Sequence, residues 1–375
     1  MNNENSPLLS IVLPTRNEKE NILPMVKKLT EVFANTNYNY EIIFADDSTD
    51  ETESVIKKHG EKDPRIKFVK GPGKGLAPGL IAGFKTAKGK YVGSMDADLQ
   101  HPPETMPKLL QKALKDNADY VVATRYAKGG SAEGLGELTT FYGIYRRFVS
   151  LAMKYFTQIL FIPTRKTSDP LGGFFLFRKE IFDKATLDPK GFKILVEMLM
   201  RTKHDIVSEV PYTFLVREND DSKATIAQGI EFFKHLWYIF RTVPEAGRFF
   251  KFCIVGGSGV IVNLGILALL VEIFNTPEKP AYIVAVAISI LTNYFFNSIF
   301  TYSDKKSPDR AESMRRVMYY YVISVAVMFF NFAIFSVSLS YGLHYILSAI
   351  LGIIAATLLN FFLATKLIWK LSAKV

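Results

Sequence analysis

Two aspartates one residue apart, Asp96 and Asp98, follow the apolar run at 91–95. Burying a carboxylate without a partner costs several kcal/mol, so two at one place call for a cation, a basic neighbour or open solvent. Which of these three applies depends on the elements that position the acids and on the other groups beside them.

The elements around the acids alternate between strands and helices. Apolar runs predict strands at 9–13, where Pro14 interrupts the run, and at 40–45, 66–69, 91–95 and 120–123. Apolar residues at helical spacing follow the first strand, and similar helices are expected at 80–87 and 102–114. This alternation predicts an α/β fold with a mostly parallel sheet covered on both faces.

Polar clusters follow three of these strands: PTRNE at 14–18, DDS at 46–48 and DAD at 96–98. Ligands of such sheets bind beyond the carboxyl ends of the strands, so the clusters are expected to converge on one rim. The first turn lacks G-x-G-x-x-G, and the glycine-rich stretch at 71–79 lacks the GK[ST] ending of a P-loop. We interpret that stretch as a loop over the site. Because acids, and not glycines, follow these strands, we expect the ligand's phosphates to be bound through a metal ion.

The C-terminal part has the composition of a membrane domain. Asp, Glu, Lys and Arg are missing from 252–271, 280–303 and 317–365. A membrane-spanning helix needs about 20 apolar residues, so four spans are predicted, with the last run folded at 341–344. Basic residues flank one side of these spans, at 248, 251, 305, 306, 310, 315, 316, 366, 370 and 374. This asymmetry places both termini and the soluble part in the cytoplasm. The net charge of +10 suits anionic lipid, and we do not attribute it to nucleic-acid binding.

The order of seven motifs, PTRNE, ADDSTDET, KGLAPGLIAGF, SMDADLQHPPE, ATRYAKGG, SDPLGGF and GFKILVEML, resembles the polyprenyl-phosphate glycosyltransferases of the GT-A fold, glycosyltransferase family 2. Within that family the dolichyl-phosphate mannose synthases are the most similar group. The match runs from about 9 to about 223, and the tail resembles a GtrA-like membrane domain. The resemblance implies a Rossmann-like GT-A catalytic domain at 1–228, an interfacial linker at 229–248 and an all-α transmembrane domain of four helices at 249–375.

The resemblance also implies roles for individual residues. Asp96, Asp98 and Gln100 would hold Mg²⁺ or Mn²⁺ on the donor diphosphate. The nucleotide pocket would be lined by Pro14, Arg16, Glu18, Asp46 or Asp47, Lys74 and Asp96. Phosphate groups would face the catalytic residues Arg125, Arg146, Lys193 and Arg217, and the acceptor phosphate would contact Ser150, Arg217, Ser222 and Lys223. The chain departs from the family pattern at Asn219 and Asp220, and the acids Asp220 and Asp221 shortly precede Lys223.

The implied reaction is hexose transfer, from GDP-mannose in the first instance, to dolichyl or another polyprenyl phosphate at the cytoplasmic leaflet. A phosphate acceptor is already an anion, so it needs no general base, whereas a hydroxyl acceptor would need one. Single displacement with inversion is the family's mechanism. Large apolar residues mixed with Arg, Lys and His at 143–162 and 229–240 predict interfacial helices. The alternatives are a UDP-glucose or UDP-N-acetylglucosamine transferase and, outside enzymes, a lipid-linked sugar flippase or scaffold.

Overall fold

The computed structural model describes residues 6–73, 75–136, 140–188, 191–216, 226–243, 246–305, 307 and 309–369. The chain divides into two compact units, 1–243 and 244–375. The first is an α/β unit and the second is helical.

The first unit is built on a seven-stranded sheet of order β3-β2-β1-β4-β6-β5-β7. Its strands are β1 (Leu9–Thr15), β2 (Tyr40–Asp46), β3 (Ile66–Lys70), β4 (Tyr91–Ser94), β5 (Tyr120–Thr124), β6 (Phe175–Arg178) and β7 (Val207–Pro211). Only β6 runs antiparallel to its neighbours, β4 and β5, among these strands. The predicted mostly parallel sheet is therefore confirmed, and β6 and β7 add two strands that the sequence patterns did not indicate.

Pro14 does not end β1, contrary to the expectation from the sequence, because the strand continues to Thr15. The amide of Met95 donates to the Val12 carbonyl at 3.3 Å, and the Asp47 amide donates to Thr15 on the opposite side at 3.0 Å. Backbone groups of β1 thus alternate between β4 and β2, and the nitrogen of Pro14 faces the side on which β4 has already ended. Proline can remain in the strand here because no ladder hydrogen bond is lost.

Helices cover both faces of the sheet. In the described part of this unit they are α1 (Lys19–Ala34), α2 (Thr52–Lys62), α3 (Leu76–Thr86), α4 (Thr105–Asp116), α5 (Phe141–Leu160), α6 (Lys179–Asp183), α7 (Ile194–Arg201) and α8 (Ile226–Thr242). Leu9, Ile11 and Leu13 pack on one face against α1 and α4, whereas Val12 packs on the other against α3 and α7. The two-residue alternation of β1 therefore serves two cores, as expected for a sheet buried on both faces.

The second unit contains α9 (Arg248–Ala268), α10 (Glu278–Phe296), α11 (Arg310–Ser340) and α12 (Tyr345–Leu363). Extended by short π-helical segments, the described residues include four helices long and apolar enough to span a membrane. The predicted fold at 341–344 is confirmed, with Gly342 in a left-handed conformation of φ 78° between α11 and α12. One end of the bundle is closed by the rings of Tyr302 and Trp369, which stack at 3.9 Å between centroids.

Candidate active site

The predicted convergence of the polar clusters follows from the sheet order. Strands β2, β1 and β4 are parallel neighbours, so the segments after Asp46, Thr15 and Ser94 emerge at one edge. Because β6 runs antiparallel to β4, β6 begins where β4 ends. The segment that precedes β6, 168–174, therefore lies at the same edge of the sheet. This edge holds the candidate site.

The turn at 96–98 is followed by a residue with a strained backbone. Leu99, which follows it, has φ 63°, a left-handed conformation that is unfavourable for a leucine and occurs mainly where the surroundings enforce it. The Asp98 carboxylate accepts a hydrogen bond from the Gln100 amide at 3.1 Å, and the Gln100 side-chain amide donates to the Leu215 carbonyl at 2.9 Å. These contacts hold the turn so that Asp96, whose side chain is 42% exposed, faces solvent at the rim.

His101 supports this turn from behind. Its Nδ1 accepts a hydrogen bond from the Asp96 amide at 2.9 Å, and its ring stacks on Phe174 at 4.9 Å between centroids. Burial lowers the pKa of His101 against the opposing attraction of Asp96 and Asp98. His101 therefore acts as a neutral hydrogen-bond acceptor that holds the backbone of the turn at Asp96, and its role is structural.

The two aspartates after β2 have different environments. Asp46 is fully buried, and its carboxylate accepts hydrogen bonds from the hydroxyls of Thr15 at 2.7 Å and Ser48 at 2.5 Å. Asp47 is half-buried at the rim, where its Oδ1 accepts from the Gly73 amide at 2.8 Å. Asp47 is therefore the one of the pair whose carboxylate is accessible at the rim, and it also holds the glycine-rich stretch.

The loop after β1 is tied to the loop after β2. Asn17, with φ 60°, donates its amide to Ser48 at 2.7 Å and accepts from the Thr49 amide at 3.0 Å. Of the predicted nucleotide residues on this loop, Arg16 is exposed, while Pro14 and Glu18 are half-buried. The loop thus presents the cation of Arg16 at the same edge of the sheet as the Asp47 carboxylate.

Arg125 and Asp169 form a buried bidentate ion pair. Nε lies 2.7 Å from Oδ2 and Nη2 lies 2.8 Å from Oδ1, and the two side chains are 11% and 1% exposed. Burial by itself lowers the pKa of Arg125, but the Asp169 carboxylate outweighs this and holds the pKa above its ordinary value. The predicted phosphate-facing arginine is thus engaged with the loop at 168–174, and Asp169 is a partner of Arg125.

The same loop is anchored a second time by Glu209 on β7. Its carboxylate accepts from the Thr167 hydroxyl at 2.7 Å, from the Ser168 hydroxyl at 2.9 Å and from the Ser168 amide. The Ser168 hydroxyl also pairs with Thr124 at 2.6 Å. The loop at 168–174 is therefore anchored at two points, by Glu209 at Ser168 and by Arg125 at Asp169.

Lys193 completes this cluster. Its ammonium donates to the Leu171 carbonyl at 2.9 Å. Burial, and then the charge of Arg125, lower the pKa of Lys193 to about 8. Further along the loop, a Cβ placed on Gly173 would lie 3.5 Å from Oδ1 of Asp96. The 168–174 loop therefore contacts the acid turn, residues 96–98, at Gly173. It also accepts a hydrogen bond from Lys193, whose pKa is lowered.

Helix α5 borders the cluster through Tyr126. The hydroxyls of Tyr126 and Ser150 are 2.8 Å apart, and the Arg125 guanidinium lies 5.3 Å from the Tyr126 ring centroid. Arg146, one turn before Ser150, is half-buried. The predicted residues Arg146 and Ser150 are thus brought to the same side of the rim as Arg125.

The remaining predicted residues, Lys74, Arg217, Ser222 and Lys223, lie outside the described residues, as do Asn219 and Asp220. In the described part, no group of three or more His, Cys, Asp or Glu side chains is arranged to hold a metal ion. Two carboxylates still fit Mg²⁺ or Mn²⁺, because such ions are commonly held by one or two carboxylates together with substrate phosphates and water.

One contributor to this network was missed from the sequence, Glu209 on β7. Glu209 carried no signal, since its partners are about forty positions away in the chain.

The comparisons with known proteins agree with this architecture. Residues 10–186 match the profile of glycosyl transferase family 2, and residues 251–369 match that of the GtrA/DPMS transmembrane domain. A catalytic α/β unit with acids on its ligand edge, joined to four apolar helices, defines a membrane-bound glycosyltransferase.

The chain belongs to glycosyltransferase family 2, in the group that carries a GtrA/DPMS transmembrane domain. It is 34% identical over 361 residues to dolichol-phosphate mannosyltransferase of Pyrococcus furiosus, covering 96% of this chain and 99% of that one. The protein of the same name from Mycosarcoma maydis is 33% identical over 276 residues, 70% of this chain and 87% of that one. Among solved structures, mannosyl-3-phosphoglycerate synthase from Rubrobacter xylanophilus is similar with a TM-score of 0.48 and 17% identity, over 63% of this chain and 73% of that one.

Proposed function

We propose that the protein transfers mannose from GDP-mannose to dolichyl phosphate or a related polyprenyl phosphate, giving the polyprenyl-phosphate mannose and GDP. The observation that carries the proposal is the contact between the acid turn and the loop at 168–174, where Gly173 abuts Asp96. A donor diphosphate at the acids and an acceptor phosphate beside the loop would then be neighbours. The relatives named dolichol-phosphate mannosyltransferase support mannose and dolichol as the substrates.

Asp96 and Asp98, with the side-chain oxygen of Gln100, would hold Mg²⁺ or Mn²⁺. When bound, this ion supplies positive charge for the leaving diphosphate. Asp47 and Arg16 orient the nucleotide, and the Arg125–Asp169 pair and Lys193 hold the 168–174 loop against the acids. Alignment and fixed charge are the protein's main contribution, because the acceptor is an anion that attacks without losing a proton. The expected outcome at the anomeric carbon is inversion by single displacement.

The acceptor explains the apolar surfaces of α5 and α8. Ile144, Phe148 and Tyr155 on α5, and Phe233 and Trp237 on α8, are each at least half exposed. Phe156 and Phe233 pack at 5.8 Å between centroids, so the two surfaces are continuous within the first unit. We propose that this surface lies on the cytoplasmic leaflet, where a polyprenyl phosphate presents its headgroup.

The test is a panel of radiolabelled sugar nucleotides incubated with the purified full chain and dolichyl phosphate, with and without EDTA. Transfer from GDP-mannose alone, abolished by the chelator and restored by Mg²⁺ or Mn²⁺, is the expected result. Transfer from UDP-glucose or UDP-N-acetylglucosamine alone would overturn the proposed donor. Absence of transfer from every donor, with nucleotide binding retained, would favour the flippase or scaffold alternative.

A further inference from the structure

The inward face of α5 carries two cations in an unusual setting. Arg147, Ser150 and Lys154 alternate by three and four residues, which places them on one helix face. Lys154 is only 7% exposed, and the buried Thr157 continues the same face toward the helix end. The exposed apolar residues Ile144 and Phe148 lie on a different face of the helix, and Tyr155, at the border between the two faces, packs its ring against Lys154.

Neither cation has an acidic partner in the part of the chain that the structure describes. Lys154 contacts the faces of Tyr126 and Tyr155, with its ammonium 4.4 and 4.7 Å from the ring centroids. Arg147 donates through Nη2 to the Gly136 carbonyl at 3.2 Å, while its Nε is buried without a hydrogen-bond partner. Within the described residues Lys154 is a buried cation without a counter-charge, which destabilises the fold, and half-buried Arg147 on the same helix face adds a buried Nε without a partner. Together they indicate a missing anion.

The groups between the two cations suit a phosphate. Ser150 lies between them along the helix, and Arg147 and Lys154 are separated by about 10 Å of helix axis at 1.5 Å per residue. The Tyr126–Ser150 contact at 2.8 Å uses only one of the two hydroxyl protons, so the second remains available to donate to an anionic oxygen. Arg125, which also contacts the Tyr126 ring, connects this position to the 168–174 loop through Asp169.

We infer that Arg147 and Lys154 hold the phosphate of the prenyl acceptor from the inward face of α5, on either side of the Tyr126–Ser150 hydroxyl pair. The inference rests on the proposed function for the identity of the acceptor. It adds two residues to the site and assigns a charged role to Arg147 beside the Arg146 indicated by the family resemblance. The cation–ring contacts of Lys154 hold the ammonium in place until the phosphate arrives.

The experiment measures binding of a short-chain prenyl phosphate to the full chain in detergent, without donor, by calorimetric titration. The variants are Lys154→Met, which keeps the apolar stem between the rings, Lys154→Arg, which keeps the charge, and Arg147→Gln. Lys27→Met is the matched control, because that side chain is 74% exposed on α1. The corresponding prenol and inorganic phosphate are titrated alongside, to separate the lipid phosphate from its apolar chain and from free phosphate.

Lys154→Met and Arg147→Gln are expected to raise the Kd for prenyl phosphate roughly tenfold to a hundredfold, since hydrogen bonds to charged groups are worth about 1.5–3 kcal/mol. Lys154→Arg is expected to stay within a fewfold of the parent. The Tm of Lys154→Met should be unchanged or higher, because an unpaired buried charge is removed. Prenol binding should not respond to either substitution.

Unchanged Kd values for Lys154→Met and Arg147→Gln would overturn the inference, as would equal losses in Lys154→Met and Lys154→Arg. Equal Kd values for inorganic phosphate and prenyl phosphate would indicate a site for free phosphate. That result would also contradict the inference. Failure of the proposed function is separate: the parent would then transfer no mannose, while the binding titration would still report on these two cations.

Discussion

The carboxylate of Asp169 and the guanidinium of Arg125 meet in two parallel hydrogen bonds of 2.7 and 2.8 Å, 44 residues apart in the chain. The pair joins the carboxyl end of β5 to the loop that precedes β6. Since that loop contacts the acid turn at Gly173, the pair determines how the two halves of the site face each other.

Breaking this pair should destabilise the first unit. Asp169→Asn leaves a buried guanidinium without its counter-charge, and removing one partner of a buried pair costs about 3–5 kcal/mol. We expect the Tm to fall by roughly 6–20 °C, which thermal unfolding followed by circular dichroism would measure. Glu31→Gln, which breaks an exposed pair with Lys27, is the control and should change the Tm little. An unchanged Tm in Asp169→Asn would contradict a structural role for the pair.

Removing one acid of the turn should abolish most transfer without unfolding the protein. We expect Asp98→Asn to lower kcat by about 10²–10³, the loss typical of removing one electrostatic contact in a preorganised site. The residual activity should respond weakly to added Mg²⁺ or Mn²⁺. Asp183→Asn is the control, because Asp183 is 55% exposed on α6 and paired with Lys179. Full activity in Asp98→Asn would exclude this acid from the site.

The pKa of Lys193, lowered to about 8 by burial, predicts a pH dependence. The ammonium is charged below pH 8 and neutral above it, so kcat/KM should fall as the pH rises through about 8, because kcat/KM reports groups of the free enzyme. Lys193→Arg should keep its activity to higher pH. A profile that is identical in Lys193→Arg would show that this charge takes no part.

The effect of this lysine on stability has the opposite sign and cannot produce the same fall. The ordinary pKa of lysine is 10.5, so between about pH 8 and 10.5 the unfolded chain binds the proton that folded Lys193 has released. The contribution of this residue to stability therefore rises with pH over that interval. Thermal unfolding of parent and variant across the interval is the control measurement.

The approach of Gly71 to Asp47 predicts a donor-specific defect. A Cβ on Gly71 would lie 2.2 Å from Oδ1 of Asp47, so alanine must displace that carboxylate. We expect Gly71→Ala to raise the KM for the nucleotide sugar about tenfold and to leave the acceptor KM unchanged. Gly79→Ala is the matched control, since its Cβ would meet the same carboxylate at an ordinary 3.7 Å. Equal effects of the two substitutions would contradict a role for Asp47.

The exposed apolar surface of α5, proposed to contact the membrane, predicts dependence on how the acceptor is presented. Phe148, 69% exposed, contributes to that surface, and burying a phenylalanine in apolar surroundings is worth roughly 1.5–3 kcal/mol. Phe148→Ser should raise the KM for dolichyl phosphate in vesicles about tenfold, with little effect on a short-chain prenyl phosphate in detergent. Leu114→Ser on α4, where Leu114 is 40% exposed, is the control. Equal effects with both acceptors would contradict membrane contact at Phe148.

Much of the architecture was determined by local sequence features. The four spans follow from length and composition alone, because uncharged runs of this length are compatible with few environments other than a bilayer. The parallel strands and their shared edge follow from alternation and from the rule that ligands bind at the carboxyl ends. The polar clusters that follow those strands, at 46–48 and 96–98, are therefore identifiable from the sequence alone.

The tertiary structure alone decided the contacts between segments distant in the chain. Neighbouring residues can face different environments, and only the packed structure shows which one faces the site. Asp46 is buried whereas Asp47 faces the rim. Arg146 and Arg147 likewise point about 100° apart around α5. The pairing of Asp169 with Arg125 depends on antiparallel β6, whose short pattern carries no information about its partners. The periodicity of apolar residues identifies individual helices and strands. The choice of which strands pair depends on the packing free energy of the whole folded unit.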